Sequence, residues 1–195
     1  MKIIFATKNN GKVRELKKLF KENGLENIEL LSLNDLRENV AIEETGKTFE
    51  ENAILKAEAV FKKFQMPVIS DDSGLIVKEM VDKPGIFSAR YAGENATDFE
   101  NNSKLLNDVK HLDNREAYFE CALVYMDKNC KKFFANEKCY GEIIDEPRGT
   151  NGFGYDPVFF LREFGKTMAE MDSKMKNKIS HRGKAFKKLA KFLKG

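Results

Sequence analysis

The chain is short of several features that would place it in particular protein classes. Only three of its 195 residues are cysteine, and Cys121, Cys130 and Cys139 stand nine apart with no C-x-x-C pair and no histidine nearby. An odd number without zinc-type spacing speaks for free thiols in a reducing compartment. No apolar run approaches the ~18 residues of a membrane span, and Met1-Lys2 leads directly into a strand-like segment. Neither a membrane nor a removable leader is expected, and the chain should be cytoplasmic and mature as synthesised. Charge of one sign is also lacking: 34 basic residues against 31 acidic leave a formal net of +3, although 33% of residues are charged. That balance excludes nucleic-acid binding by long-range attraction, so a polyanion must be held by a local pocket. What the chain does have is a core. A 42% hydrophobic fraction with 16 phenylalanines rules out disorder, and the length suits one large domain or two intimately packed lobes.

Strands and helices alternate along the sequence, with no repeat and no low-complexity segment. Lys2 to Ala6 reads as a buried strand, after which Val13, Leu16 and Phe20 recur at helical spacing. Leu30 to Leu33 is a weaker strand, followed by an acidic stretch ending in Glu43-Glu44-Thr45-Gly46. Thr48-x-x-Glu51 is a capping box that opens a helix with the apolar stripe Phe49, Ala53, Ala57, Val60, Phe61 and Phe64, and Pro67 stops it. Val68 to Ser70 and Leu75 to Val77 are extended on either side of Asp71-Asp72-Ser73-Gly74, and Asp98 to Val109 is helical. Tyr118 to Met126 and Lys132 to Tyr140 flank the turn Asp127-Lys128-Asn129 as a hairpin. A glycine-rich loop, Glu146 to Pro157, precedes a basic last helix built on Phe186, Leu189, Ala190 and Leu193. A mixed α/β sheet flanked by helices is the economical architecture.

Three segments carry chemistry. Thr7-Lys8-Asn9-Asn10-Gly11-Lys12 joins a strand to a helix, where unsatisfied N–H groups and the helix dipole accommodate a phosphate and Lys12 adds charge. It is not a Walker A loop, because Ala6 stands at the first glycine and Val13 at the metal-binding Ser/Thr. The same residues also suit a plain Asn-Gly turn. Glu43-Glu44 and Asp71-Asp72 are the acidic clusters able to hold magnesium, which takes a few carboxylates together with water and substrate phosphates. Successive strand residues face opposite ways, so one aspartate points at a ligand and the other ties down the turn. Asp-Asp-Ser-Gly is equally good turn chemistry, and acidic pairs such as Glu43-Glu44 are commonly just solvated. In Lys176-x-x-x-Ser180-His181-Arg182, one of only two histidines in the chain sits beside arginine at a helix head, offering donors to a base edge or phosphate or lying on the surface.

Taken in order, Ala6 to Lys12, Glu43-Glu44-Thr45-Gly46-Lys47-Thr48-Phe49-x-x-Asn52-Ala53-x-x-Lys56-Ala57, Ser70-Asp71-Asp72-Ser73-Gly74-Leu75, Pro84 to Gly93, Gly152-Phe153-Gly154-Tyr155-Asp156-Pro157 and Ser180-His181-Arg182-Gly183 resemble the inosine/xanthosine triphosphate pyrophosphatase family over essentially the whole chain. The resemblance implies an α/β fold, a long mixed sheet with two lobes and a substrate cleft, usually as a homodimer. It implies hydrolysis of noncanonical purine triphosphates (ITP, dITP, XTP) to monophosphate and pyrophosphate with Mg2+. Carried over by position, Thr7, Lys8, Asn9, Asn10, Gly11 and Lys12 form the phosphate turn, and Asp72 is general base and metal ligand. Ser73 and Lys56 contact substrate, and one of Glu43 and Glu44 adds the second carboxylate to the metal. Phe153, Gly154, Tyr155, Asp156, Lys176, His181 and Arg182 recognise the nucleotide. Lys12, Lys56, Lys176 and Arg182 are thereby expected to converge on the triphosphate. A noncatalytic purine-nucleotide-binding module is the competing class. One departure stands out: Val81-Asp82-Lys83 occupies the place where the family often has Gly-Gly.

Overall fold

A computed structural model describes residues 1–36, 38, 40–81 and 83–195. Asp82, in the Val81-Asp82-Lys83 departure, lies outside the described residues. Among the described residues eight strands form one sheet, β1 (Lys2–Phe5), β2 (Glu29–Ser32), β3 (Val68–Val77), β4 (Lys83–Pro84), β5 (Glu116–Met126), β6 (Lys132–Ile143), β7 (Phe159–Leu161) and β8 (Lys166–Thr167), in the order β2-β1-β3-β5-β6-β7-β8 with β4 on β3. β1 runs parallel to β2 and β3, whereas β3/β4, β6/β7 and β7/β8 are antiparallel. The sheet is mixed, as expected. The α-helices of the described residues are α1 (Asn10–Glu22), α2 (Phe49–Phe64), α3 (Asp98–Val109), α4 (Ser173–Ile179) and α5 (His181–Lys194). No helix among the described residues is long and apolar enough to cross a membrane.

The chain divides into two compact units. The first comprises Met1–Asp72, Cys121–Glu137 and Arg182–Gly195. Its core joins Ile3 and Phe5 of β1, the Leu16/Leu19/Phe20 face of α1, Ile69 of β3 and the Phe186/Leu189/Ala190 face of α5. Phe20 and Phe186 meet with ring centroids 5.0 Å apart. Phe186 is fully buried, so truncation to alanine there costs about 3–5 kcal/mol. The second unit comprises Ser73–Glu120 and Lys138–His181. Its core gathers Leu75 and Val77 of β3, Leu105 and Val109 of α3, Phe119 of β5 and Tyr155, Phe159, Met168 and Met171.

Two sequence expectations need correction. Asp71-Asp72-Ser73-Gly74 is not a turn but the middle of the continuous ten-residue strand β3. Its turn chemistry yields to pairing with neighbouring strands and to charge partners on both sides. Thr48 does cap α2, accepting from Glu51 N at 3.1 Å, but Glu51 reaches back to Lys47 N at 2.6 Å rather than to the cap residue itself. The helix ends at Phe64 with Gln65 in the left-handed region, before Pro67. β7, β8 and α4 are too short to carry a periodicity and were not anticipated.

Candidate active site

In the first unit the site grows from the carboxyl end of β1, a position where open α/β sheets place their ligands, and from the middle of β3, which runs on through Asp71 and Asp72 past its parallel pairing with β1. Ile4 and Phe5 of β1 pair with Val68 and Ile69 of β3, and Ala6 N donates to Ile69 O at 2.8 Å. This register sets the Thr7–Lys12 turn beside Asp71. The turn is an N-capped helix start: Asn9 Oδ1 accepts from Lys12 N at 3.0 Å, and Thr7 Oγ1 accepts from Asn9 N at 3.1 Å. Asn34 Nδ2 holds it from outside by donating to Lys8 O and Asn10 Oδ1, and Gly11 is buried within it.

Asp71 and Asp72 face opposite ways and enter different networks. Asp71 accepts from Lys12 Nζ at 3.1 Å and, through Oδ2, from Arg182 Nε and Nη2 at 3.2 and 3.1 Å. Arg182 Nη1 donates onward to Glu15 at 2.6 Å. Burial works to raise the Asp71 carboxyl, but Lys12, Arg182 and Lys56 overcome it and hold it well below the usual carboxylate range. Arg182 is raised above its ordinary value, its desolvation outweighed by Asp71 and Glu15. The expectation that one aspartate ties down a turn thus gives way to a different role: Asp71 joins α1 and α5 to the strand through two cations.

Asp72 accepts from Lys56 Nζ at 2.8 Å and from Asn52 Nδ2 at 3.3 Å. Asn52 and Lys56 lie four apart on α2, hence on one face of the helix. Ser70 Oγ, donating to Ala53 O at 2.6 Å, fixes that helix against β3. Lys56 also pairs with Glu44 at 3.1 Å, and Asn52 Oδ1 accepts from Gly46 N at 2.8 Å. Asn52 therefore ties the Glu43-Glu44-Thr45-Gly46 segment to Asp72. Both glutamates are exposed, and Glu44 is the member of the pair that meets Lys56. Burial raises the Asp72 carboxyl above its ordinary value, against the pull of Lys56 and Lys12. For Lys56 the balance goes the other way, and Asp72, Asp71 and Glu44 raise it despite its burial.

The second unit assembles a different set. Asp156, 2% exposed, accepts through one oxygen from Phe153 N at 2.9 Å and from Lys176 Nζ at 2.5 Å. The same ammonium lies 5.0 Å from the Phe153 ring centroid. Gly152 has φ +80, and a Cβ there would come 1.9 Å from Asp156 Oδ2, so only glycine lets the loop close on that carboxylate. Tyr155 is buried and donates its hydroxyl to Ser88 O at 2.8 Å. His181 opens α5 and stacks on Phe119 with centroids 4.8 Å apart and planes 13° from parallel. Ser73, half-buried on β3, is the first residue of this unit.

Each of the four cations expected to converge is paired with a carboxylate of its own unit: Lys12 and Arg182 with Asp71, Lys56 with Asp72, and Lys176 with Asp156. Lys176 belongs with Phe153 and Asp156, whereas Arg182 joins Asp71 and Glu15. Asn52 and Glu15 are absent from the expected site, and Asp71 entered it only as a member of the acidic cluster, without its two cationic partners. Asn52 carried a signal, one helical turn before Lys56. The partnerships of Asp71 span 59 and 111 residues and leave no local trace.

Among the described residues no group of three or more His, Cys, Asp or Glu side chains is arranged to hold a metal by itself. Asp72 and Glu44 nonetheless share Lys56. Two carboxylates brought to one cationic centre fit an ion that completes its shell with water and substrate phosphate.

Residues 3–192 match the Ham1 family. A dITP/XTP pyrophosphatase of Listeria monocytogenes is 49% identical over 194 residues, covering 98% of this chain and 94% of its own. One from Bacillus cereus is 47% identical over 191 residues, covering 96% and 92%. The solved structure of the Staphylococcus aureus Ham1 protein superposes with a TM-score of 0.87 at 41% identity, covering 100% of this chain and 99% of that one.

Proposed function

The chain belongs to the Ham1 family, and from that premise we propose that it hydrolyses noncanonical purine nucleoside triphosphates (ITP, dITP and XTP) to the monophosphate and pyrophosphate. Relatives of 47–49% identity over nearly the whole chain bear the name dITP/XTP pyrophosphatase. The observation that carries the reading is Asp72, buried on β3 between Lys56, Asn52 and the Glu44 segment, just beyond the parallel pairing of β3 with β1.

In this reading the Thr7–Lys12 turn and the Lys12 and Lys56 ammonium groups bind the triphosphate and neutralise its oxygens. Asp72 orients a water against the α-phosphorus and takes its proton as the oxygen–phosphorus bond forms. The bond from the α-phosphorus to the bridging oxygen breaks, and pyrophosphate leaves with that oxygen. A divalent ion, here Mg2+, held by Asp72 and Glu44 or Glu43, supplies charge neutralisation at the phosphates when bound. Asn52 keeps the Asp72 carboxylate and the glutamate segment in register.

Base recognition falls to the second set, Phe153 to Asp156 with Lys176 and His181, and Ser73 contacts the nucleotide from β3. Phe153 stacks on the base, a contact that holds any purine without selecting among them. Selection comes from donors facing the 6-oxo group, where adenine presents its own amino hydrogens. A donor left unpaired in a dry pocket makes that choice strong. Arg182, its guanidinium held by Asp71 and Glu15, completes the cationic set. The compartment is taken to be the cytoplasm and the assembly a homodimer. Val81, Phe87 and Phe99 of the second unit are exposed, apolar surface of the kind an association between copies covers.

A turnover panel of ATP, GTP, ITP, dITP and XTP with Mg2+, with the products identified, tests the assignment. Pyrophosphate release from the 6-oxo substrates ITP, dITP and XTP well above that from ATP supports it. A folded protein inert to the whole panel would favour the binding module instead.

A further inference from the structure

We propose that Asp98 and Asn102, in the first turns of α3, are positioning residues that set the nucleobase-recognising loop by gripping both backbone polar groups of Gly154. This rests on the reading of Phe153, Asp156 and Lys176 as the base-recognition set. Gly154 N donates to Asp98 Oδ2 at 2.7 Å, and Asn102 Nδ2 donates to Gly154 O at 2.8 Å. The same amide nitrogen donates to Asp98 O at 2.7 Å, so both of its hydrogens are used. Asn102 Oδ1 is buried and finds no hydrogen-bond partner among the described residues. The position therefore uses asparagine for its two donors, at the expense of a buried acceptor.

The grip falls where the loop is most exposed to error. Gly154 has φ +63, a left-handed residue between Phe153 and Tyr155 that lets the chain reverse so that Phe153 N reaches Asp156. A Cβ at Gly154 would meet nothing within 4 Å, so backbone conformation, not space, is what the clamp maintains. Phe153, Asp156 and Lys176 are already fixed to one another through the Asp156 carboxylate. Asp98 and Asn102 fix that group to a helix whose own start is locked by the reciprocal Thr97/Glu100 capping box. Neither residue stands among the sequence-derived site candidates, because the contact spans 52 to 56 residues.

Asn102→Leu keeps the branching at Cγ, in a somewhat larger side chain, and removes both donors together with the unpaired acceptor. It is expected to raise KM for ITP and XTP about tenfold or more, as misplacement of a recognising group does, with kcat within about twofold. It should narrow the preference for ITP over ATP. Asp98→Ala should act in the same direction and Asp98→Asn, which retains an acceptor for Gly154 N, should restore most of the affinity. The chain contains no tryptophan, so Phe153→Trp creates a single reporter on the loop that needs no turnover. Adding Asn102→Leu to that background should lower tryptophan anisotropy and increase acrylamide quenching, with the melting temperature little changed. Unchanged anisotropy and quenching overturn the clamp, as does a loss of kcat shared equally by all substrates. A wild-type protein inert to ITP and XTP would instead overturn the functional reading, and the reporter would still decide the clamp.

Discussion

Asp71 and Asp72 are consecutive and both buried, yet neutralising them should have opposite consequences. Asp71 is held ionised by Lys12 and Arg182 against its own burial. A carboxylate with a lowered folded-state pKa contributes stability that is present above the ordinary carboxylate value and lost as pH falls through the lowered one. Asp71→Asn leaves Lys12 without that carboxylate, while Arg182 keeps Glu15. Breaking one side of a buried ion pair costs about 3–5 kcal/mol, and the retained Glu15 puts the expectation at the lower end, about 3. For a chain of 195 residues, the unfolding entropy near the midpoint is about 0.4 kcal/mol per degree. Asp71→Asn should therefore lower the melting temperature by about 7 °C at pH 7. The gap to wild type should begin to narrow as pH falls below the ordinary carboxylate value, where the unfolded chain takes up the proton first, and should close only as pH falls through the lowered folded-state value. Asp72 has a raised carboxyl, so at neutral pH its ionised form adds nothing to stability, and Lys56 retains Glu44 when it is neutralised. Asp72→Asn should melt within about 2 °C of wild type and lose pyrophosphate release. Calorimetry across pH 3–8 on both variants, with a pyrophosphate-coupled assay, measures the contrast. Equal melting losses, or an Asp71→Asn protein as stable as wild type, would refute the division of labour.

Three further outcomes follow from the same geometry. The raised Asp72 carboxyl must ionise before it can ligate a cation, so Mg2+ binding should release protons and weaken as pH falls, over a range above the ordinary carboxylate value. Titration calorimetry in two buffers of different ionisation enthalpy checks it, and pH-independent binding would contradict it. Gly152→Ala should displace Asp156 from Phe153 N and Lys176 and raise KM for ITP about tenfold or more, whereas unchanged KM would show that the loop tolerates a Cβ. Alkylation of the native protein should modify Cys130 alone, since Cys130 is exposed while burial pushes the Cys121 thiol up to about 12 and Cys139 is buried. Mass spectrometry of the iodoacetamide product decides this, and rapid labelling of Cys121 would overturn it.

The elements legible in the sequence were those whose period repeats often enough to register. The apolar stripe of α2 and the span of α3 at Asp98–Val109 needed no tertiary information. The centre of β3 misled because Asp, Ser and Gly carry turn propensity, and only neighbours distant in the chain make an extended conformation preferable there. The site was partly legible for the same reason. Asn9 capping Lys12 and the Asn52/Lys56 pairing are local, one or two turns of helix. Asp71 with Arg182, and Asn102 with Gly154, are partnerships between segments 111 and 52 residues apart. A local motif shows that a carboxylate or carboxamide is present, while its function is set by which strand ends and helix faces the topology brings to it.

Whether water attacks the α-phosphorus, the bond change on which the roles of Asp72, Lys12 and Lys56 all depend, is decided by turnover of ITP in 18O-enriched water with mass analysis of both products. One solvent oxygen is expected in the inosine monophosphate and none in the pyrophosphate. Label in the pyrophosphate, or orthophosphate as the first product, would contradict it.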